Sequence, residues 1–241
     1  MTSPWSEPWT DTAPSQWEAV ITAPEESSIH MSWARTEQSR FEQDALEDPV
    51  IAEAYEVGAR TGATPMDTTA GAALRFLAAA TRARSVVEVG TGCGASGLWL
   101  LRGMPPEGIL TTVDVNGAHQ EFARGLFSRA GAGAGRARLI RGSSREVLPR
   151  LTDGGYDLVL VDADALSYPF YLDEARRLLR PNGLVVFHNA MAGSPEPDGP
   201  LRAPDPGETA VREVIRLVRE DESLVALLLP VGSGLLAAIR S

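Results

Sequence analysis

The stretch SVVEVGTGCGASG, Ser85–Gly97, runs an apolar strand into three closely spaced glycines and then into a small-residue helix start. That change of texture marks where the chain's organisation changes. From Ser85 onward apolar strands alternate with helical segments. SVVEV leads to the helix ASGLWLLRG, ILTTVDV to GAHQEFARGLFSRAG, and ARLIRG to the short helix SREVLPRL. YDLVLVDA leads to the helix YPFYLDEARRLLR, which Pro181 should close, and LVVFH is the fifth strand. In ETAVREVIRLVRED, Val211, Val214, Ile215 and Val218 recur at helical spacing. SLVALLLP and GLLAAIR flank VGSG, a link too short for a crossover helix, so they should pair antiparallel. Near-continuous apolar strands alternating with helices predict an α/β fold. The expectation is a doubly wound, Rossmann-like, mostly parallel seven-stranded sheet with an antiparallel C-terminal hairpin.

Upstream, residues 1–24 are rich in Pro, Ser and Thr and contain Trp5, Trp9 and Trp17 without a period. They read as a flexible tail, or else as an aromatic arm that docks on the domain or on a second subunit. Residues 25–60 should carry N-terminal helices, with a helix over 34–60 that Pro49 could break. A further helix runs from Asp67 to Ala80 with Leu74 and Leu77 on its buried side. Residues 61–241 form the main domain.

The chain has 241 residues, enough for one large domain. Lys and Arg number 22 against 32 Asp and Glu, a formal net charge of −10, which disfavours nucleic acid and anionic membranes as partners. No apolar run approaches the roughly 18–20 residues of a membrane span. The N-terminus lacks the basic and apolar stretches of a signal peptide. Cys93 is the single cysteine, so no internal disulfide is possible, and a cytoplasmic setting is expected.

In an open parallel sheet ligands bind beyond the carboxyl ends of the strands, which puts residues 87–97 in the crevice. Gly90, Gly92 and Gly94 let the backbone approach a ligand closely. Gly92, Gly94 and Gly97 also satisfy the spacing of dinucleotide-binding loops, so the glycines alone decide nothing. Two carboxylates shift the balance. Glu88, two residues before the first glycine, would repel a pyrophosphate but can bind an amino group. Asp114 ends the second strand, where a carboxylate accepts both hydroxyls of a ribose. S-adenosylmethionine (AdoMet) carries ribose, ammonium and sulfonium without phosphate and satisfies both; NAD satisfies only Asp114. Ser96, at a helix start, suits a carboxylate ligand. Ser143 and Ser144 could bond the adenine edge, cap the helix that follows, or both.

EVGTGCG, VDV, YDLVLVDA and LLRPNGLVVF together resemble the class I AdoMet-dependent methyltransferases. VDADALSYPFY and LPVGSGLLAAIR resemble, more narrowly, the small-molecule O-methyltransferases of the catechol and caffeoyl-CoA type, in an actinobacterial branch. The resemblance covers about residues 60–241. It implies AdoMet contacts from Met66, Glu88, Gly90, Thr91, Gly92, Ser96, Asp114, Ser144, Asp162 and Asp164, a small hydroxylated acceptor held near Asp162, Asp164 and Asn189, and a homodimer.

Metal-dependent members hold a divalent ion with an Asp ending the fourth strand and an Asp-Asn pair ending the fifth, and a lysine three residues after the first Asp helps take the proton. Here Asp162 and Asn189 keep their places, but His188 replaces the second Asp and Ala165 replaces the lysine. Imidazole removes a charge and a hard ligand from a magnesium site. Three readings stay open. Asp162, His188 and Asn189 could hold a softer ion; His188 could be a general base, since an ordinary imidazole titrates near 6.5; or His188 could only hydrogen-bond the loop or the acceptor. His30 and His119 read as surface residues and Cys93 as packing. The loop 192–207, with Arg202, should cover the acceptor pocket. The alternative function is an AdoMet-binding protein with a degenerate catalytic site.

Overall fold

The computed structural model describes residues 40, 47–191 and 205–241, the latter two spans making up most of the compact unit Asp44–Ser241. The tail expected at 1–24, His30, the first part of the helix expected over 34–60 and residues 192–204 of the expected lid, Arg202 among them, lie outside the described residues.

Helix α1, Pro49–Thr61, begins where a break was expected. Proline suits the first turn because its N–H would have no partner there. Asp48 caps it, accepting the Val50 N–H at 3.0 Å. Val50, Ile51 and Ala54 share one core with Leu98 and Trp99, so packing crosses the expected line at residue 61. Helix α2, Thr68–Ala80, is capped by Asp67, which accepts the Ala70 N–H at 2.8 Å. Leu74 is buried and Leu77 packs at the edge of the same core.

The sheet has seven strands in the order β3-β2-β1-β4-β5-β7-β6. Strand β1, Ser85–Val89, lies parallel between β2, Ile109–Asp114, and β4, Tyr156–Val161. Strand β3, Ala137–Arg141, extends one side; β5, Leu179–Phe187, extends the other, all parallel. The antiparallel pair β6, Leu224–Leu229, and β7, Leu235–Arg240, completes the sheet. The chain runs outward from β1 to β3 and then crosses to β4, so the direction of winding reverses between β1 and β4.

Both faces are covered. Helices α1, α2, α3 (Ala95–Gly103) and α4 (Gly117–Arg129) bury one face, with Leu98, Trp99 and Phe127 in its core. On the other, α6 (Tyr168–Leu178) and α7 (Pro206–Glu220) pack Tyr168, Leu172, Val211, Val214 and Val218 against the strands. The short α5 is Ser144–Val147. Among the described residues, no helix is long and apolar enough to cross a membrane.

One boundary differs from expectation. Helix α6 stops at Leu178, not at Pro181, and β5 starts at Leu179, opposite Tyr156. A register shift follows before Leu158 meets Leu184. Pro181 sits in this exposed irregular stretch, where a strand tolerates a missing donor.

Candidate active site

A cleft of about 360 Å³ opens beyond the carboxyl ends of β1 and β4, at the reversal of winding. That is where ligands bind in such sheets, and the size is within the roughly 300–1,000 Å³ of small-molecule sites. Of the residues expected to bind the cofactor, Gly90, Thr91, Gly92 and Ser96 line one side. Asp114, Ser144, Asp162 and Asp164 line the others. Met66, Glu88 and Ser143 do not reach the wall.

The glycine loop is held tightly from below. Gly90 has φ 98°, and a Cβ there would meet the Asp162 carbonyl oxygen at 1.9 Å. The Thr91 and Thr112 hydroxyls are 2.7 Å apart, and Gln120 Nε2 donates to both Thr91 Oγ1 and the Ile140 carbonyl at 3.1 Å. This buried network ties the loop to β2, α4 and β3. Asp114 accepts the Gly92 N–H at 2.9 Å and the Asn116 N–H at 2.8 Å, one on each oxygen. Both bonds orient the carboxylate and leave lone pairs for a ligand.

Glu88 was expected to face a ligand amino group. It is 0% exposed and stands behind Ser96, whose hydroxyl donates to Oε1 at 2.6 Å. Oε2 has no hydrogen-bond partner among the described residues. Burial pushes this carboxyl up to about 8. Any influence on the cleft passes through Ser96.

At the other end, Tyr171 Oη donates to Asp164 Oδ2 at 2.9 Å and lies 2.9 Å from Ser144 Oγ. Asp164 also accepts the Ser167 N–H at 3.0 Å. Ser143 holds the N-cap position of α5 without a side-chain capping bond. Met66 is buried in the same core as Leu74.

His188 follows β5 and is 5% exposed. Its Nδ1 lies 2.7 Å from Asp162 Oδ1, and its Nε2 lies 2.9 Å from Ser233 Oγ. Tyr168 Oη donates to its carbonyl at 2.7 Å and its N–H donates to Val161 O at 3.0 Å. Asn189, next in the chain, adopts φ 57°. Asp162 is therefore both cleft wall and imidazole partner.

An O-methyltransferase family model matches residues 41–241. The chain belongs to the O-methyltransferase family. A candidate O-methyltransferase of Mycolicibacterium smegmatis is 49% identical over 199 residues, 83% of this chain and 94% of that one. A Corynebacterium glutamicum protein of known crystal structure is 26% identical, with a TM-score of 0.77 over 88% of this chain and 97% of its own. The O-methyltransferase TomG of Streptomyces achromogenes, involved in tomaymycin synthesis and solved with SAM, is 27% identical, with a TM-score of 0.73 over 85% of this chain and 99% of its own.

In this O-methyltransferase the donor set does not fit a resident octahedral ion. Asp162 spends an oxygen on His188 itself, both imidazole nitrogens have protein partners, and the residue three after Asp162 is Ala165. A hard divalent ion prefers several oxygen ligands with free lone pairs.

Several cleft residues of the O-methyltransferase escaped the sequence reading. Tyr171 lies inside the quoted motif VDADALSYPFY, but nothing in a lone sequence tells its ring from a packing aromatic. His119, read as a surface residue, lines the cleft from the first turn of α4. Cys93 also lines it, though buried, with its Sγ 3.3 Å from Thr61 Oγ1.

Proposed function

We propose that the protein transfers a methyl group from AdoMet to a hydroxyl of a small, aromatic acceptor, without a resident divalent ion. One observation carries this reading: Asp162 joins the cofactor-sized cleft to a histidine held as a base would be held. AdoMet supplies the electrophilic methyl group. Asp114 binds the ribose hydroxyls with the lone pairs its loop bonds leave open. The backbone N–H groups opening α3 bind the carboxylate. Ser96, whose one hydroxyl proton goes to Glu88, does not donate to that carboxylate as expected and instead accepts from the ammonium, with Glu88 buried behind it fixing that orientation. Gly90, Thr91 and Gly92 let the ligand lie against the backbone. Ser144 and Asp164, aligned by Tyr171, meet the adenine edge; Ser143 and Met66 support that wall and the floor.

The acceptor lies near Asp162, Asp164 and Asn189. Asp162 fixes the imidazole of His188 with the proton on Nδ1, so that Nε2 keeps its lone pair, and stabilises the imidazolium formed on proton uptake. We also read the protein as a cytoplasmic homodimer. Edge strand β6 exposes Val225 and Leu227 on one face and Leu228 on the other, apolar surface that an isolated sheet edge would normally blunt with charge.

The test is a screen of phenols and catechols with detection of S-adenosylhomocysteine, run with and without a chelator. Release from at least one acceptor, unaffected by the chelator, is expected. AdoMet binding with no release from any acceptor would favour the degenerate binding protein instead.

A further inference from the structure

The hairpin turn VGSG between β6 and β7 first reads as a connector. Its placement shows much more constraint than a connector needs. The Ser233 N–H donates to the Asp67 carboxylate, and the Ser233 carbonyl accepts the Met191 N–H at 2.8 Å. The Gly234 carbonyl accepts the Ala190 N–H at 3.0 Å. Gly232, at φ 53°, lies so close to Asp67 that a Cβ would meet Oδ2 at 1.6 Å. The carboxyl of Asp67 is held below its ordinary value; burial opposes this, but bonds from Thr69, Ala70 and Ser233 prevail. The cap of α2 and the segment after β5 thus grip the turn from two sides, and the side chain presented is Ser233, 2.9 Å from His188 Nε2.

The direction of that bond follows from chemistry. A carboxylate facing Nδ1 requires the proton there, so Nε2 is an acceptor and Ser233 Oγ–H the donor. The imidazole is nearly buried, whereas Ser233 is half-buried. The nitrogen that would accept the proton is therefore capped by a more accessible hydroxyl whose lone pairs remain to accept another bond.

We propose that Ser233 is the group through which His188 reaches the acceptor, relaying the acceptor's proton to Nε2. This rests on the reading of His188 as the base. The acceptor O–H passes its proton to Ser233 Oγ as Ser233 passes its own to Nε2. The acceptor oxygen uses the freed electron pair to bond the methyl carbon, and the carbon–sulfur pair returns to sulfur. Serine ends neutral, and the imidazolium is stabilised by Asp162.

Two readouts test it on the full chain. The first is the His188 ring-nitrogen NMR signal in wild type, Ser233→Ala and Ser233→Thr. The Nε2 resonance should move in Ser233→Ala and return in Ser233→Thr, with AdoMet affinity unchanged in both. The second is turnover of catechol and of 4-nitrocatechol, at a pH where the latter is already a phenolate. Ser233→Ala should lower kcat roughly a hundredfold for catechol but less than about threefold for the pre-ionised phenol, with Ser233→Thr restoring most of it. Equal losses on both phenols, or none, would overturn the relay. So would an Nε2 resonance indifferent to Ser233→Ala, whether or not the wild type turns over. If wild type releases no S-adenosylhomocysteine from either phenol, an acceptor found in the wider screen, paired with a pre-ionised analogue, takes their place. If that screen finds none, the methyltransferase reading fails and the relay falls with it, while the Nε2 resonance still tells whether Ser233 holds the histidine.

Discussion

Ser96 stands between Glu88 and the cleft, its hydroxyl 2.6 Å from Glu88 Oε1 and its own surface on the cleft wall. The carboxyl is thus shut away from water, while the serine transmits its state to whatever binds beyond. A buried, half-satisfied carboxyl also leaves a signature in stability.

Burial holds Glu88 protonated up to about pH 8 in the folded protein. In the unfolded chain it titrates near about 4.3. Between these values the native state binds more protons than the unfolded one, so stability falls as pH rises and levels off above about 8. Glu88→Gln should flatten this contribution, on the order of a few kcal/mol across the range. Urea denaturation of both proteins at a series of pH values measures it; parallel curves would mean that Glu88 is ionised throughout.

Asp114→Ala should weaken AdoMet binding by about 1.5–3 kcal/mol, the value of a charged hydrogen bond, or roughly ten- to a hundredfold. It also frees the Gly92 and Asn116 N–H groups that Asp114 now accepts. Calorimetric titration with AdoMet and with NAD checks both affinity and choice of ligand. Measurable NAD binding without AdoMet binding would refute the cofactor assignment.

Chelator treatment should leave transfer unchanged. His188→Gln should lower kcat by about a hundredfold or more while AdoMet still binds, because Asp162 keeps its place on the cleft wall. Should chelation abolish transfer and Mn²⁺ or Mg²⁺ restore it, His188 is a ligand and the general-base assignment is wrong.

Gly90→Ala should be among the costly single changes in the chain. The new Cβ would meet the Asp162 carbonyl at 1.9 Å, and φ 98° strains any L side chain. Loss of more than about 2 kcal/mol is expected, since neither backbone can retreat without breaking the Asp162 N–H bond to Val89 O. Thermal unfolding gives the measurement, with Gly125→Ala, which meets nothing within 4 Å, as the comparison.

Light scattering at micromolar concentration should give a dimer mass. Leu227→Glu, on the exposed edge strand β6, should shift it towards monomer without loss of fold by circular dichroism. A wild-type monomer would remove the interface.

The α/β class, the antiparallel hairpin and the glycine loop were legible because they depend on local period and on residues with unusual backbone freedom. Asp114 was legible for a related reason: strand ends in a parallel sheet all point to one crevice. Asp162 came in with the resemblance to the O-methyltransferases. Glu88 was placed correctly on its strand but given the wrong exposure, since alternation along β1 cannot show that Ser96 folds across it. The early end of α6 was hidden because a helical pattern runs through Arg180, while the sheet claims Leu179 by pairing it with Tyr156.

By itself the sequence determined the succession of strands and helices along the chain and the crevice, and set beside the family pattern it showed the departure of His188 and Ala165 from the metal site. Tertiary structure alone decided what His188 touches. Its partners Asp162 and Ser233 lie 26 and 45 residues away, and they meet it only because β5 is hydrogen-bonded between β4 and β7. Periodicity records which face a side chain takes. Contacts of such long range are set by strand order, which no local pattern carries.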